Sequence, residues 1–121
     1  MTGGCLCGGV RFELEPLLRP VRVCHCSLCR RSGTLAGAYT AVPRTALVLT
    51  SDATLVGYLD ANGRERSFCR SCGSTLFWSA ERRETISVSA GALDEPTGLH
   101  TERHIHLEDA ADWEPPAYDP A

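Results

Sequence analysis

Seven cysteines are the residues whose type and spacing could carry chemistry in this chain of 121 residues. They form three clusters, which hold two, three and two cysteines. The clusters are Cys5 and Cys7, then Cys24, Cys26 and Cys29, and then Cys69 and Cys72. Spacings of one or two residues allow neighbouring sulfurs to reach one metal ion, and zinc is a metal that thiolate ligands select. The clusters therefore predict zinc binding.

The sizes of the clusters predict how the zinc ions are shared. A structural zinc takes four protein ligands, and whole clusters supply four only when the two pairs combine. The four-cysteine set is then Cys5, Cys7, Cys69 and Cys72, and the three-cysteine set is Cys24, Cys26 and Cys29. Three ligands with an open fourth position are typical of a catalytic zinc, where water or substrate completes the coordination. We expect two zinc sites per chain, with the three-cysteine site partly occupied.

Other interpretations of the cysteines stay open at this point. A histidine or an aspartate could complete a second structural site at the three-cysteine set, and buried cysteines also pack as small apolar residues. Disulfide bonds are disfavoured because the count is odd. The first residues lack a basic stretch followed by an apolar one, so we expect a cytoplasmic protein, whose thiols stay reduced.

The charged residues limit the class of partner. All 12 basic residues are arginines, and they stand against 15 acidic residues, which gives a net charge of −3. This balance argues against nucleic acid as the main partner, because phosphate binding needs a basic surface. No apolar run approaches the roughly 18 residues that span a bilayer, so no membrane partner is expected. Arg30 and Arg31 follow Cys29 directly and are candidates for binding anionic groups of a substrate.

Short stretches of alternating hydrophobicity predict a mainly β protein. The predicted strands cover residues 10–14, 21–24, 39–42, 46–49, 55–59, 64–68, 75–78 and 85–89. Asn62-Gly63 is typical of a hairpin turn. One helical turn is expected over 27–32 and a short helix over 107–113. With at most these two helices, we expect one domain over residues 1–121, with Phe77 and Trp78 in its core.

Several residues near the cysteines or the chain end are expected to be structural. His25 lies between two cysteines on a predicted strand, so its side chain should point away from the metal and pack or form hydrogen bonds. His104 and His106 should share one face of a strand and remain solvated or hydrogen-bonded. Trp113 and Tyr118 are expected to pack the proline-rich end onto the body of the protein.

Three segments of the sequence resemble the glutathione-dependent formaldehyde-activating enzyme (Gfa) family, which includes centromere protein V. Residues 4–12 are Gly-Cys-x-Cys-Gly-x-Val-x-Phe, and residues 24–33 are Cys-His-Cys-Ser-x-Cys-Arg-x-Ser-Gly. Residues 68–73 are Phe-Cys-x-x-Cys-Gly. The resemblance extends from Gly4 to about Tyr118, and all seven cysteines occupy positions of the family pattern.

The resemblance implies an Mss4-like fold of coiled β-sheets that is stapled by zinc. It implies a structural zinc on the four-cysteine set and a catalytic zinc on the three-cysteine set. It also implies a carbon–sulfur lyase reaction run in reverse, in which glutathione and formaldehyde give S-hydroxymethylglutathione. Arg30 and Arg31 could pair with the two carboxylates of glutathione.

Two alternatives accompany this expectation. Another low-molecular-weight thiol could replace glutathione as the substrate. The domain could also be a non-catalytic zinc module that binds a thiol or a protein partner. The sequence does not indicate an oligomeric state.

Overall fold

The computed structural model describes residues 1–16 and 18–114. In this part of the chain there are ten β-strands, one α-helix and three short 3₁₀ helices. The strands are β1 (Thr2–Gly4), β2 (Val10–Leu14), β3 (Val21–Cys24), β4 (Gly37–Pro43), β5 (Leu47–Asp52), β6 (Leu55–Leu59), β7 (Arg64–Cys69), β8 (Thr75–Ala80), β9 (Thr85–Ser89) and β10 (Thr101–Ile105). The helix α1 spans Ser27–Arg31, and the 3₁₀ helices span Arg44–Ala46, Ala90–Ala92 and Leu107–Asp109. The expectation of a mainly β fold is confirmed.

The strands form two sheets. The smaller sheet has the order β1-β2-β5, and the larger has the order β10-β3-β4-β9-β8-β7-β6. Neighbouring strands are antiparallel except for β10 and β3, which are parallel. The larger sheet therefore brings β3, which leads into the three-cysteine set, into the same layer as β7 and β8, which flank the last cysteine pair.

All eight predicted strands are present, although several bounds differ by one to three residues. The expected helix over 107–113 is wrong, because only Leu107–Asp109 is helical and Ala110 has an extended backbone. Strand β1 was not expected, and the strand expected around residues 104–106 begins earlier, at Thr101, and ends at Ile105. Glycines, which have low strand propensity, make up most of β1, and the outer strand β10 carries exposed charged residues in place of an apolar alternation. None of the described helices is long and apolar enough to cross a membrane.

The hydrophobic core combines side chains from both sheets. Val10, Phe12 and Leu14 point from β2 into the core and are almost fully buried. The rings of Phe12 and Phe77 meet edge to face, with centroids 5.2 Å apart. Because β2 belongs to the smaller sheet and Phe77 lies on β8, this contact packs one sheet against the other. The expectation of Phe77 in the core is confirmed.

The hairpin between β6 and β7 is closed by the buried carboxylate of Asp60. One carboxylate oxygen accepts hydrogen bonds from the backbone N–H groups of Asn62 and Arg64 at 2.9 and 3.1 Å. The other accepts from Arg66 Nε at 3.0 Å. Gly63 adopts a left-handed φ of 74°, which its missing side chain permits. The hairpin predicted from Asn62-Gly63 is confirmed.

We expect Asp60→Ala to lower the free energy of unfolding by about 3 kcal/mol, because it removes the partner of a largely buried arginine. The side chains of Asp60 and Arg66 are 2% and 15% exposed. Asp94→Ala is the matched control, since the Arg11–Asp94 pair is 40% and 48% exposed and should contribute at most about 1 kcal/mol. Urea denaturation at neutral pH measures both values. Equal losses for the two variants would contradict this role of burial.

Candidate functional site

The four-cysteine set is assembled from two hairpins that belong to different sheets. Cys5 and Cys7 lie between β1 and β2, whereas Cys69 ends β7 and Cys72 lies in the turn before β8. The four Sγ atoms all lie within 4.8 Å of one another. Gly73, with a φ of 79°, donates its N–H to the Cys69 carbonyl at 2.8 Å and closes the second turn. The cluster therefore joins the smaller sheet to the larger one.

The spacing of these sulfurs fits a tetrahedral zinc ion. Four sulfurs at zinc–sulfur distances of about 2.3 Å lie about 3.8 Å apart. Cys7 Sγ is 3.7 Å from both Cys5 Sγ and Cys69 Sγ. With four thiol ligands the coordination of a zinc ion would be complete, which is the pattern of a structural site.

Hydrogen-bond donors approach Cys5, Cys69 and Cys72, whereas Cys7 differs: the Gly9 backbone lowers its pKa, but the neighbouring thiols of Cys5 and Cys69 outweigh this and raise it to about 11. The Val10 N–H donates to Cys5 Sγ at 3.3 Å, and the Thr54 hydroxyl lies 3.1 Å from Cys69 Sγ. The hydroxyl and the backbone N–H of Ser74 lower the pKa of Cys72 to about 5. Because thiolates are the form that ligates metal, these contacts support the same assignment.

The three-cysteine set lies where β3 passes into α1. Cys24 ends β3, Cys26 is the N-cap of α1, and Cys29 is the third residue of the helix. Their Sγ atoms also lie within 4.8 Å of one another. The expectation that His25 lies on a strand between these cysteines is wrong, because β3 ends at Cys24. The Cys26 sulfur accepts the Cys29 N–H at 3.3 Å, so one side chain both caps the helix and belongs to the cluster.

An arginine contacts the three-cysteine set directly. Arg66 Nη1 lies 3.7 Å from Cys29 Sγ. The hydrogen bond from Cys24 and the guanidinium of Arg66 outweigh the effect of burial and lower the pKa of Cys29 to about 5. Burial and the neighbouring Cys29 sulfur raise the pKa of Tyr39 to about 12, which keeps this phenol protonated at neutral pH. The cluster can therefore offer a thiolate at neutral pH.

A cavity of about 610 Å³ opens beside the three-cysteine set, and all three of these cysteines line it. The cysteines of the four-cysteine set are not among the described residues that line it. Five arginines contribute to the wall: Arg19, Arg22, Arg64, Arg66 and Arg83. Asp60 and Asp109 are the acidic residues among the described lining residues, so the wall carries an excess of positive charge.

The positions of the arginines show how this positive wall is held. Arg64 and Arg83 lie over the Trp78 ring, with guanidinium carbons 6.0 and 5.3 Å from its centroid. Arg19 donates to a backbone carbonyl at 3.1 Å, and burial together with the charge of Arg22 lowers its pKa. The expectation of Trp78 as a core residue is wrong, because its half-buried ring forms part of the cavity wall.

Arg30 and Arg31 lie outside the described cavity lining. Arg30 Nε donates to the carbonyl of Asp109 at 3.4 Å, and Arg31 is exposed. Their role in substrate binding stays a prediction. The lining arginines were missed because strand pairing brings them to the site from distant parts of the chain. Proximity to a cysteine in the sequence was the only signal available, and it indicated different arginines.

The histidines divide between the protein interior and the cavity. His25 is fully buried, and its Nε2 lies 2.9 Å from Nδ1 of His104, which confirms the expected hydrogen-bonding role. The expectation that His104 and His106 share a strand face is wrong, because β10 ends at Ile105. His106 has a left-handed φ of 57° and lines the cavity.

Trp113 was expected to pack the proline-rich end onto the body of the protein, but its side chain is 65% exposed. Tyr118, for which the same packing was expected, lies outside the described residues.

The fold and the clusters define a class of β protein with two cysteine clusters that could hold metal ions, one with four cysteines and one with three beside a cavity. The family model of the glutathione-dependent formaldehyde-activating enzyme matches residues 1–109. This chain belongs to that family, which confirms the resemblance found in the sequence. The expected Mss4-like fold agrees with the two β-sheets whose hairpins bring the four cysteines together.

Individual proteins agree with the family assignment. A protein of Halomonas elongata is 32% identical in an alignment that covers 93% of this chain and 78% of that protein. A protein of Penicillium rubens is 28% identical in an alignment that covers 94% of this chain and 56% of that protein. Both are named "putative glutathione-dependent formaldehyde-activating enzyme". A crystal structure of a Rhodobacter sphaeroides protein aligns with a TM-score of 0.67 and 29% identity, covering 78% of this chain and 89% of that one.

We expect wild-type protein to bind two zinc ions and Cys26→Ser to bind one while remaining folded. Serine is itself a good N-cap, so this substitution removes a ligand without removing the start of α1. Cys72→Ser is the matched control, because it removes one ligand from the junction between the sheets and should abolish cooperative thermal unfolding. Native mass spectrometry counts the ions and circular dichroism follows unfolding. A folded Cys72→Ser variant with two ions would contradict the assignment.

Proposed function

We propose that this protein is a zinc-dependent enzyme that combines a low-molecular-weight thiol with formaldehyde. In the lyase direction it would cleave the carbon–sulfur bond of the adduct. The observation that carries the proposal is that a three-thiol cluster borders an arginine-lined cavity. Zinc held by Cys24, Cys26 and Cys29 would lower the pKa of a bound thiol or polarise a carbonyl group.

The reaction balances without an oxidant or a reductant. The thiol sulfur donates an electron pair to the carbonyl carbon of formaldehyde, and the carbonyl π pair moves to oxygen. The thiol proton is lost and one proton is gained by that oxygen, which gives an S-hydroxymethyl thiol. Tyr39 is a protonated group beside the cysteines, and it lines the same cavity.

Glutathione is the thiol that the family name supplies, and the cavity suits its charge. Its two carboxylates can each pair with an arginine, and arginine forms two parallel hydrogen bonds with a carboxylate. Arg19, Arg64 and Arg83 line the cavity and are candidate anchors, whereas Arg22 lines it but pairs with Glu102 at 2.9 Å. Arg30 and Arg31 remain candidates from outside the described lining. A volume of about 610 Å³ lies within the range of small-molecule sites.

Seven free cysteines suit a reducing compartment, which supports the proposal that the protein acts in the cytoplasm on a thiol present there. The alternative is a zinc module that binds a thiol or a protein partner without turnover. Binding of glutathione without faster adduct formation would favour that alternative.

The proposal predicts faster exchange between formaldehyde and its thiol adduct. Adduct formation also proceeds without a catalyst, so the rate and not the final yield is the quantity to measure. Exchange spectroscopy with ¹³C-formaldehyde and glutathione measures that rate. We expect the wild type to accelerate exchange. The catalysed rate should be at least about 100-fold lower in Cys26→Ser, because this substitution removes a ligand of the activating metal.

Matched controls separate the enzyme from its alternatives. Arg82→Gln removes an exposed arginine outside the cavity lining and should leave the rate unchanged. 2-Mercaptoethanol, which has neither a carboxylate nor an amine, tests whether the arginines matter for the choice of thiol. Identical rates for wild type, Cys26→Ser and buffer with either thiol would contradict an enzymatic role.

A further inference from the structure

The two cysteine clusters differ in the charge of the groups that donate to their sulfurs. In the four-cysteine set the described donors are neutral: the N–H groups of Val10 and Cys72 and the hydroxyls of Thr54 and Ser74. In the three-cysteine set a guanidinium approaches Cys29. Among the described residues, a guanidinium therefore donates to a sulfur only where the ligand set is incomplete. Arg11 interacts with Cys5 through its charge, but its guanidinium donates to Asp94.

The position of this guanidinium is fixed. Arg66 Nε lies 3.0 Å from one carboxylate oxygen of Asp60, and Nη1 lies 3.7 Å from Cys29 Sγ. Because a guanidinium is planar, these two contacts together determine its orientation. Asp60 is itself held by the backbone N–H groups of Asn62 and Arg64 within the β6–β7 hairpin. The hairpin loop thus holds the guanidinium of Arg66 beside one sulfur of the three-cysteine set, that of Cys29.

Formal charge indicates what this cation could do. A dication with three thiolates sums to −1, and a fourth thiolate takes the sum to −2. An arginine beside the cluster makes that additional negative charge less costly. A neutral fourth ligand adds no charge and gains no such benefit. The charge of Arg66 should therefore favour binding of an anionic ligand over a neutral one at the fourth coordination position of the metal.

We propose that Arg66, oriented by Asp60, is a positioning residue that makes the three-cysteine site selective for a thiolate as its fourth ligand. This inference deepens the proposed function, on which it rests for the presence of an open metal site. Arg66 acts through the Cys29 sulfur, in the way that groups around metal ligands commonly tune a metal site. The other lining arginines are left to contact the remainder of the thiol.

A purely structural role is the competing explanation, because the Asp60–Arg66 pair also braces a hairpin. Such a role predicts that loss of Arg66 weakens every ligand of the site equally. The proposed role predicts that a thiolate is weakened and a neutral ligand is not. Comparison of two small ligands of different charge therefore separates the explanations.

The test uses the full chain loaded with Co²⁺, whose sulfur-to-metal absorption reports ligand exchange. 2-Mercaptoethanol is the thiol probe because it carries no carboxylate, and imidazole is the neutral probe. We expect Arg66→Gln to weaken binding of mercaptoethanol by about 10- to 100-fold, the value of a hydrogen bond to a charged group. Imidazole binding should change by less than about twofold, and Arg66→Lys should recover part of the thiol affinity because it keeps the charge.

Arg82→Gln is the matched control, since it removes an exposed positive charge outside the cavity and should bind both probes as the wild type does. Mercaptoethanol binding within twofold of wild type in Arg66→Gln overturns the proposal, as does an equal loss for both probes. If Arg66→Gln does not fold, Arg66→Lys decides: a weakened thiolate with unchanged imidazole supports the proposal, and any other pattern overturns it.

These readouts need no turnover, so they separate this inference from the proposed function. Charge-selective binding that depends on Arg66, without faster adduct formation, would overturn only the enzymatic function. Faster adduct formation with probe affinities that do not depend on Arg66 would overturn only the inference about Arg66.

Discussion

The junction at the four-cysteine set is the constraint on which the rest of this structure depends. It draws one pair of sulfurs from the smaller sheet and one pair from the larger sheet to a single point. A chain of this length has a limited core, so a bound metal that joins two hairpins can contribute a large share of its folding free energy. Cys5 and Cys69 are also part of the hydrophobic core, which connects the packing of the sheets to the cluster.

The second cluster can remain incomplete because the first closes the junction between the sheets. The three-cysteine set lies where β3 leads into α1, and its cysteines line a cavity. The larger sheet links the two clusters through β7, which ends in Cys69 and also carries Arg66. One strand thus supplies a ligand to the junction and a cation to the neighbouring site. A change that loosens the junction should therefore disturb both.

The sequence was most informative where the chemistry is local. Spacings of one and two residues between cysteines were enough to predict both clusters, and alternating hydrophobicity predicted eight strands. It was least informative where distant segments meet. Arg66 lies 37 residues from Cys29, and only the order of strands in the larger sheet brings the two together. Glycine-rich β1 and the charged first half of β10 were missed because pairing with neighbours, and not strand propensity, makes them strands.

Adjacency in the sequence did not identify the lining of the cavity. Arg30 and Arg31 follow Cys29 directly, yet neither is among the described lining residues, since side chains one or two residues apart on a helix face different directions. Trp78 reads as one more apolar residue of a strand, although its ring supports two arginines of the cavity wall. Whether a residue lines the cavity depends on which face of its helix or strand packs against the neighbouring strands. A single sequence does not show that packing.

We infer that the four-cysteine set is closed when it holds a metal and that the three-cysteine set can accept a fourth ligand. ¹¹³Cd NMR of the cadmium-substituted protein distinguishes the two sites, because each metal gives its own resonance and its chemical shift reports the ligands. We expect two resonances, of which only one shifts when glutathione is added, and Cys26→Ser should remove that same resonance. If both resonances shift when glutathione is added, or if neither shifts, the result would contradict this assignment of the two clusters.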